Sequence, residues 1–250
     1  IKNNKYDYIF DISGRELDQT KILLENIKDD FKRYIYVSSA GVYKDLTELP
    51  LIESDPVDKN SRHKGKFETE SWLIENKIPF TSFRPTYIYG PNNYNKIENW
   101  FFERIVNLKI IPVPGDGNLI TQLGHVSDLT DVMIKCLNYD KTKNNIYNCS
   151  GDKGVTIKGL IYKCAEACNI DKNKIKLKEF DYKNLDPKSR KGFPIRLSHY
   201  QTSINKIKND LDWEPKFNLI DGLKNSFQND FKFKINLKVD TSSDDQLFKS

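Results

Sequence analysis

The sequence predicts an α/β fold with a mainly parallel sheet, and three observations carry that prediction. Strand-like and helix-like segments alternate through most of the 250 residues. Tyr34–Ser39 (YIYVSS) is nearly all apolar, as expected for a parallel strand covered on both faces. Hydrophobic residues at 38%, with 13 Tyr, 14 Phe and 3 Trp, supply a core for one large domain or two modest ones.

The elements follow in order. Tyr6–Ile12 is an aromatic and β-branched run ending at Ser13-Gly14, a strand and its turn. Leu17–Ile27 carries a helical apolar stripe at 17, 22, 23, 24 and 27. After the strand at Tyr34–Ser39 and a polar loop, Arg62–Asn76 reads as a helix. Its Phe67, Trp72, Leu73 and Ile74 are expected inward, and Glu68 and Glu70 outward. Pro79–Arg84 is a strand closed by Pro85, and Ile97–Leu108 a helix. Ile110–Asn118 is turn-rich, and Asp128–Leu137 is helical with Ser127 as N-cap. Ile146–Cys149 reads as a strand, Thr156–Cys168 as a helix and Lys174–Phe180 as a strand. Helices are expected at Gln201–Leu211 and Leu219–Phe231, and the tail beyond Phe231 as weakly ordered.

No run approaches the roughly 18 apolar residues of a membrane-spanning helix. Four Cys make no disulfide scaffold, and Cys164 and Cys168, four apart on one helical face, are expected as buried thiols in a reducing compartment. The formal net charge of +5 is mild and names no partner. Its distribution says more: Lys172–Lys208 holds eleven Lys/Arg against Glu179, Asp181 and Asp186, a local excess larger than that of the whole chain. The chain begins with Ile and its only Met is Met133, so it is expected to be part of a longer polypeptide.

Several stretches lie in the order and spacing of one architecture. Ser38-Ser39-Ala40-Gly41-Val42-Tyr43 follows a buried strand. Lys66 comes next with Glu70 one turn on, and then Arg84-Pro85-Thr86-Tyr87-Ile88-Tyr89-Gly90-Pro91. Ile111–Gly117 leads into Gly124-His125-Val126-Ser127-Asp128, and Leu211–Pro215 lies near the end. Together they resemble the extended short-chain dehydrogenase/reductase family of nucleotide-sugar epimerases and dehydratases. The resemblance implies a Rossmann-like doubly wound parallel sheet of the extended short-chain dehydrogenase type, lacking its N-terminal strands, with a smaller C-terminal α/β substrate-type lobe. Residues 1–92, with a returning segment near 120–160, would form the first domain, and 93–250 mainly the lobe and tail. The strand at Tyr6–Ile12 would then be an edge, with Tyr8, Ile9 and Phe10 beside unpaired backbone groups.

The same resemblance implies Ser39 and Lys66 as catalytic positions, and Ser38, Lys66, Pro85 and Tyr87 as contacts to NAD(P). The proton-taking Tyr, expected four residues before Lys66, is replaced by Arg62. A guanidinium stays protonated and cannot be the base. His63 is rotated about 100° off that face of a helix. The family's Gly-rich phosphate-binding turn is absent, and Gly115-Asp116-Gly117 in mid-chain reads as a turn. Dehydrogenase chemistry is therefore expected to be lost.

Ser61–Glu70 (SRHKGKFETE) is more closely similar to the chloroplast stem-loop-binding protein family, as are Asp11–Glu16, Tyr34–Tyr43, Tyr87–Pro91, Glu98–Phe102, Gln122–Val126 and Phe193–Arg196. That resemblance implies a plastid RNA-binding protein with divalent-metal-dependent endoribonuclease activity, Mg serving the nuclease. It also implies association with plastid ribosomes or RNA polymerase complexes and a homo- or hetero-oligomer. The RNA-binding candidates are Arg62, Lys64, Lys188, Arg190, Lys191 and Arg196. Phe180, Tyr182, Phe193 and Tyr200 are either stacking platforms among them or ordinary core aromatics. Glu53, Asp55 and Asp58 are the carboxylates near enough in sequence to be weighed as a metal site. The other readings are an NAD(P)-dependent nucleotide-sugar epimerase or dehydratase, and a structural subunit of a plastid assembly.

Overall fold

The computed structural model describes residues 5–27, 31–235 and 239–248. In chain order its first elements are β1 (Tyr8–Asp11), α1 (Leu17–Glu25), β2 (Arg33–Val37), α2 (Lys64–Glu75), β3 (Phe80–Pro85) and β4 (Tyr87–Tyr89). The middle of the chain adds α3 (Glu98–Val106), β5 (Ile110–Pro114), β6 (Ile120–Thr121), β7 (Leu123–His125), α4 (Val126–Lys135) and β8 (Asn145–Cys149). The rest forms β9 (Val155–Thr156), α5 (Ile157–Ala167), β10 (Lys176–Phe180), α6 (Asn205–Leu211), α7 (Leu219–Asn229) and α8 (Asp244–Leu247).

Two units divide these elements. The first comprises 1–86, 127–150 and 202–214, and the second 87–126, 151–201 and 215–250. Each unit gathers three segments of the chain, the second including the tail.

The first unit is built on a four-stranded parallel sheet of order β1-β2-β3-β8. All five residues of β2 are buried, the apolar run Tyr34–Val37 together with Arg33 at its start. On β1 the pattern alternates, with Tyr8 and Phe10 exposed and Ile9 and Asp11 buried. Ile9 belongs to one buried cluster with Leu24, Tyr34, Tyr36, Leu73 and Phe80. Among the described residues β1 ends the sheet.

Helix α2 departs most from its expected faces. Only Leu73 of its four expected inward residues is fully buried, and Ile74 is exposed. Glu70, expected outward, is buried because Arg84 of β3 supplies its counter-charge. Helix α6 begins only at Asn205: Thr202 bridges Leu51 instead, and Ser203 donates its N–H to the Leu51 carbonyl. Helix α4 starts directly after β7, so Ser127 lies inside its first turn and is not its N-cap.

In the second unit α3, α5 and α7 enclose a core of Phe101, Phe102, Leu160, Ile161 and Leu223. Thr156 caps α5, its Oγ1 accepting the Gly159 N–H at 3.0 Å. The stretch expected as turn-rich contains a true strand, β5, paired in parallel with β10. Pro112 and Pro114 are tolerated there because each strand of a two-stranded sheet has a free edge for a residue without N–H. Gly115 and Gly117 then turn at φ 51° and 78°. The tail is also better held than expected. Arg104 Nη2 donates to Asp244 Oδ1 at 2.6 Å, both side chains being buried. Residues 236–238 and 249–250 of that tail lie outside the described residues. No described helix is long and apolar enough to cross a membrane.

Candidate functional site

At the carboxyl end of β2 the chain makes one 3-10 turn, Ala40–Val42, which Ser39 caps by accepting the Gly41 N–H at 3.0 Å. The segment before α2 lies against that turn. Ser61 Oγ donates to the Gly41 carbonyl at 2.8 Å and accepts the His63 N–H at 3.1 Å. A methyl group on Gly41 would displace the His63 imidazole, which packs directly against the glycine. His63 thus sits beside the Ser39–Val42 turn. The expectation that it points away fails because it precedes α2, where helical rotation does not apply. Arg62 is exposed in the same turn, its Nε donating to His63 Nε2 at 3.1 Å, and Lys64 is exposed at the start of α2.

Lys66 is buried, and its Nζ donates to the Val37 carbonyl at 2.6 Å and lies 5.0 Å from the Tyr36 ring centroid. Burial lowers its pKa to about 8, with Asp11 opposing that shift. Beneath it Glu70 accepts from Arg84 Nη2 at 2.7 Å, Arg84 Nε at 3.1 Å and Ser82 Oγ at 2.9 Å. Burial opposes the Arg84 charge, but the Glu70 carboxylate outweighs it and holds the guanidinium above its usual pKa. Arg84 also lies 4.9 Å from the Tyr43 ring centroid, while the Tyr43 hydroxyl donates to Asn148 Oδ1 at 2.7 Å. This network was missed in the sequence, where only Arg84 inside an apolar strand could have signalled a buried acid.

These residues do not fit hydride chemistry with a nicotinamide cofactor. The phenol position holds Arg62, whose guanidinium stays protonated and cannot take the proton, and Lys66 Nζ donates to the Val37 carbonyl. Ser38 Oγ is buried with no hydrogen bond among the described residues. Pro85 ends β3, and Tyr87 opens β4 with its hydroxyl accepting the Arg196 N–H at 2.7 Å.

The acidic loop does not converge. Glu53, Asp55 and Asp58 accept from three different backbone amides, those of Asn148, Ile52 and Asn60. Among the described residues no group of three or more His, Cys, Asp or Glu could hold a metal ion. His125 stacks on Phe217 with ring centroids 3.9 Å apart. The four cysteines are free, and burial pushes the Cys168 thiol up to about 12.

The basic stretch divides between the units. Lys206 and Lys208 fall in the first, where Lys206 Nζ donates to the Ile146 carbonyl at 2.9 Å. In the second, Lys172, Lys174, Lys176, Lys178, Lys183, Lys188 and Lys191 are all exposed. Arg190 is half-buried and holds its own loop, donating to the carbonyls of Phe193 and Ile195 at 2.9 and 2.7 Å. Arg196 lies over the Tyr200 ring at 4.4 Å. Phe180, Phe193 and Tyr200 are buried, so as stacking platforms they fail, and only Tyr182 is half-exposed.

The profile of the NAD dependent epimerase/dehydratase family matches residues 11–150. The chain is 42% identical over 243 residues to the "Chloroplast stem-loop binding protein of 41 kDa b, chloroplastic" of Arabidopsis thaliana, covering 97% of this chain and 64% of that protein. It is 25% identical over 215 residues to the UDP-glucose 4-epimerase of Vibrio cholerae, covering 81% of this chain and 64% of that protein. The chain therefore spans just under two thirds of these relatives. Among solved structures, the UDP-glucose 4-epimerase of Thermotoga maritima superposes with a TM-score of 0.73 at 20% identity, covering 92% of this chain and 78% of that one. The dTDP-glucose 4,6-dehydratase of Bacillus anthracis gives 0.70 at 19%, covering 95% and 75%. At such identities the likeness shows the fold alone.

Proposed function

This chain belongs to the NAD dependent epimerase/dehydratase family, and on that premise we propose that it is a plastid RNA-binding protein whose dehydrogenase site has been lost. The observation that carries the reading is the second unit's run of exposed lysines from Lys172 to Lys191, which pair with no acid among the described residues. Unpaired surface cations cost little to bring against phosphates, and each counterion they displace adds to affinity. The similarity to a chloroplast stem-loop binding protein supports RNA as the polyanion and the plastid as the compartment.

The lysines carry this role better than Arg190, which is committed to its loop. The exposed Arg62 and Lys64 of the first unit form a separate basic cluster. Association with plastid ribosomes or polymerase complexes would follow from the RNA they hold. The carboxylates of the acidic loop, each tied to a different amide, lend the endoribonuclease reading no support.

The test is equilibrium binding of a structured RNA across salt. Affinity should fall by about 10³ or more between about 50 and 200 mM salt if six or more phosphates are contacted. Joint reversal of Lys176, Lys188 and Lys191 to Glu should weaken different RNA sequences by a similar factor. Unchanged affinity in that variant would remove the lysine run from the interface. Turnover of a UDP-sugar with NAD, abolished by Lys66→Ala, would overturn the reading as a whole.

A further inference from the structure

We propose that the outer face of α5 is a stacking subsite for one unpaired nucleotide of the bound RNA, with the Tyr162 ring as platform and Lys172 as phosphate ligand. The inference rests on the RNA-binding reading above and names the part of the RNA that the lysine run leaves unread.

Helix α5 buries Ile157, Leu160, Ile161, Cys164 and Ala165 in the core of the second unit. Its other face carries Gly159, Tyr162, Lys163 and Glu166 at helical spacing. With the loop that follows the helix they line an open groove of about 760 Å³. Tyr162 is half-buried and brings the groove its aromatic ring. Gly159, one turn earlier, adds no side chain to that wall.

The charges in the groove are sorted. Lys163 Nζ bonds Glu166 Oε2 at 2.7 Å, so those two satisfy each other. Asp171 Oδ1 accepts the Asn173 N–H at 2.9 Å and is turned to its own backbone. Lys172 is left as the exposed cation at the groove's end, with no ion pair among the described residues. Lys174 closes the 3-10 turn that Lys172 opens, and Lys176 and Lys178 continue the exposed run on β10, Lys178 lying 4.0 Å from the Phe248 ring centroid. On a strand, alternate residues stand about 7 Å apart on one side, a ladder suited to the successive phosphates of an extended polynucleotide.

An aromatic ring in an open groove, followed along the chain by exposed cations that pair with no acid among the described residues, is the arrangement by which single-stranded nucleic acid is held without sequence readout. It also adds a ring to a run in which Phe180, Phe193 and Tyr200 are buried and Tyr182 alone is half-exposed. Asn169 lines the same groove and brings an amide able to pair with a base edge.

The experiment compares two RNAs with the whole chain at one salt concentration: a hairpin with an unpaired loop, and a loopless duplex of the same stem. Tyr162→Ala should weaken hairpin binding by about 5- to 100-fold and leave the duplex unchanged. Tyr162→Phe should retain hairpin binding, because the ring and not the hydroxyl is used. In the unaltered chain, a photoreactive base in the loop should cross-link to the peptide carrying Tyr162. Unchanged hairpin affinity in Tyr162→Ala, or cross-links confined to other peptides, would overturn the subsite while the lysine interface stands. Equal losses for hairpin and duplex would make Tyr162 structural and overturn it too. Binding of neither RNA by the unaltered chain would overturn the RNA reading and the subsite with it.

Discussion

The two units spend their positive charges in opposite ways. In the first, Arg33, Lys66 and Arg84 are buried: Arg33 Nη1 donates to the Thr81 and Thr142 hydroxyls while its Nε has no hydrogen bond among the described residues, Lys66 donates to a backbone carbonyl, and Arg84 pairs with Glu70. In the second, Arg104 is buried, and the lysines from 172 to 191 face solvent. The first unit also exposes Arg62 and Lys64, but the longer run of exposed cations, seven lysines from Lys172 to Lys191, lies on the second. A buried cation pays desolvation and is held by its partner; an exposed one keeps its hydration until a ligand displaces the counterions.

The largest expected effect tests the inward side of that contrast. Glu70→Ala leaves the Arg84 guanidinium buried without its carboxylate and should cost about 3–5 kcal/mol in urea unfolding. Glu70→Leu combined with Arg84→Met should recover most of that loss. A cost below about 1 kcal/mol would mean that Arg84 reaches water, and the contrast would fail at its strongest point.

Lys66 gives the next effect, read through pH. Its folded pKa, about 8, lies below the unfolded value near 10.5. Between these values the unfolded chain holds a proton that the folded chain does not. Stability should therefore rise with pH across that window, by an amount of the order of 3 kcal/mol. Lys66→Met should remove this rise, and a variant with the same pH profile as the parent would show the ammonium to be well solvated.

Asp244→Asn should cost less, about 1–3 kcal/mol, since Arg104 also donates to the Trp100 carbonyl and lies 3.6 Å from the Trp100 ring. Faster proteolysis within the tail beyond residue 239 is the local readout. The smallest effect belongs to the exposed side. Lys176→Glu, Lys188→Glu and Lys191→Glu together should shift the melting temperature by no more than about 2 °C, while RNA affinity falls. A large drop in melting temperature would show these lysines to be structural and erase the difference between the units.

The parts legible in the sequence are those encoded by near neighbours. The unbroken apolar run marked β2, and Thr156 marked the start of α5. Arg62 in place of a tyrosine was enough to put hydride chemistry in doubt, because a guanidinium cannot act as the base whatever surrounds it. Even there the geometry was read only in part, since Arg62 and His63 sit in a turn and not on the helix.

What the tertiary structure alone decided depends on partners far along the chain. Glu70 carries the same local pattern as Glu68 but is buried, because Arg84 stands fourteen residues away across the helix–sheet contact. Thr202 leaves its expected helix for Leu51, and the tail is held by Arg104, 140 residues from Asp244. The aromatics of the basic stretch look like stacking platforms in sequence, yet Phe180 and Phe193 belong to the core of the second unit. Periodicity and propensity determine where helices and strands form, since they act within a few residues. Whether a charge or a ring faces solvent is set by a balance of desolvation against a partner, and that partner is chosen by the fold.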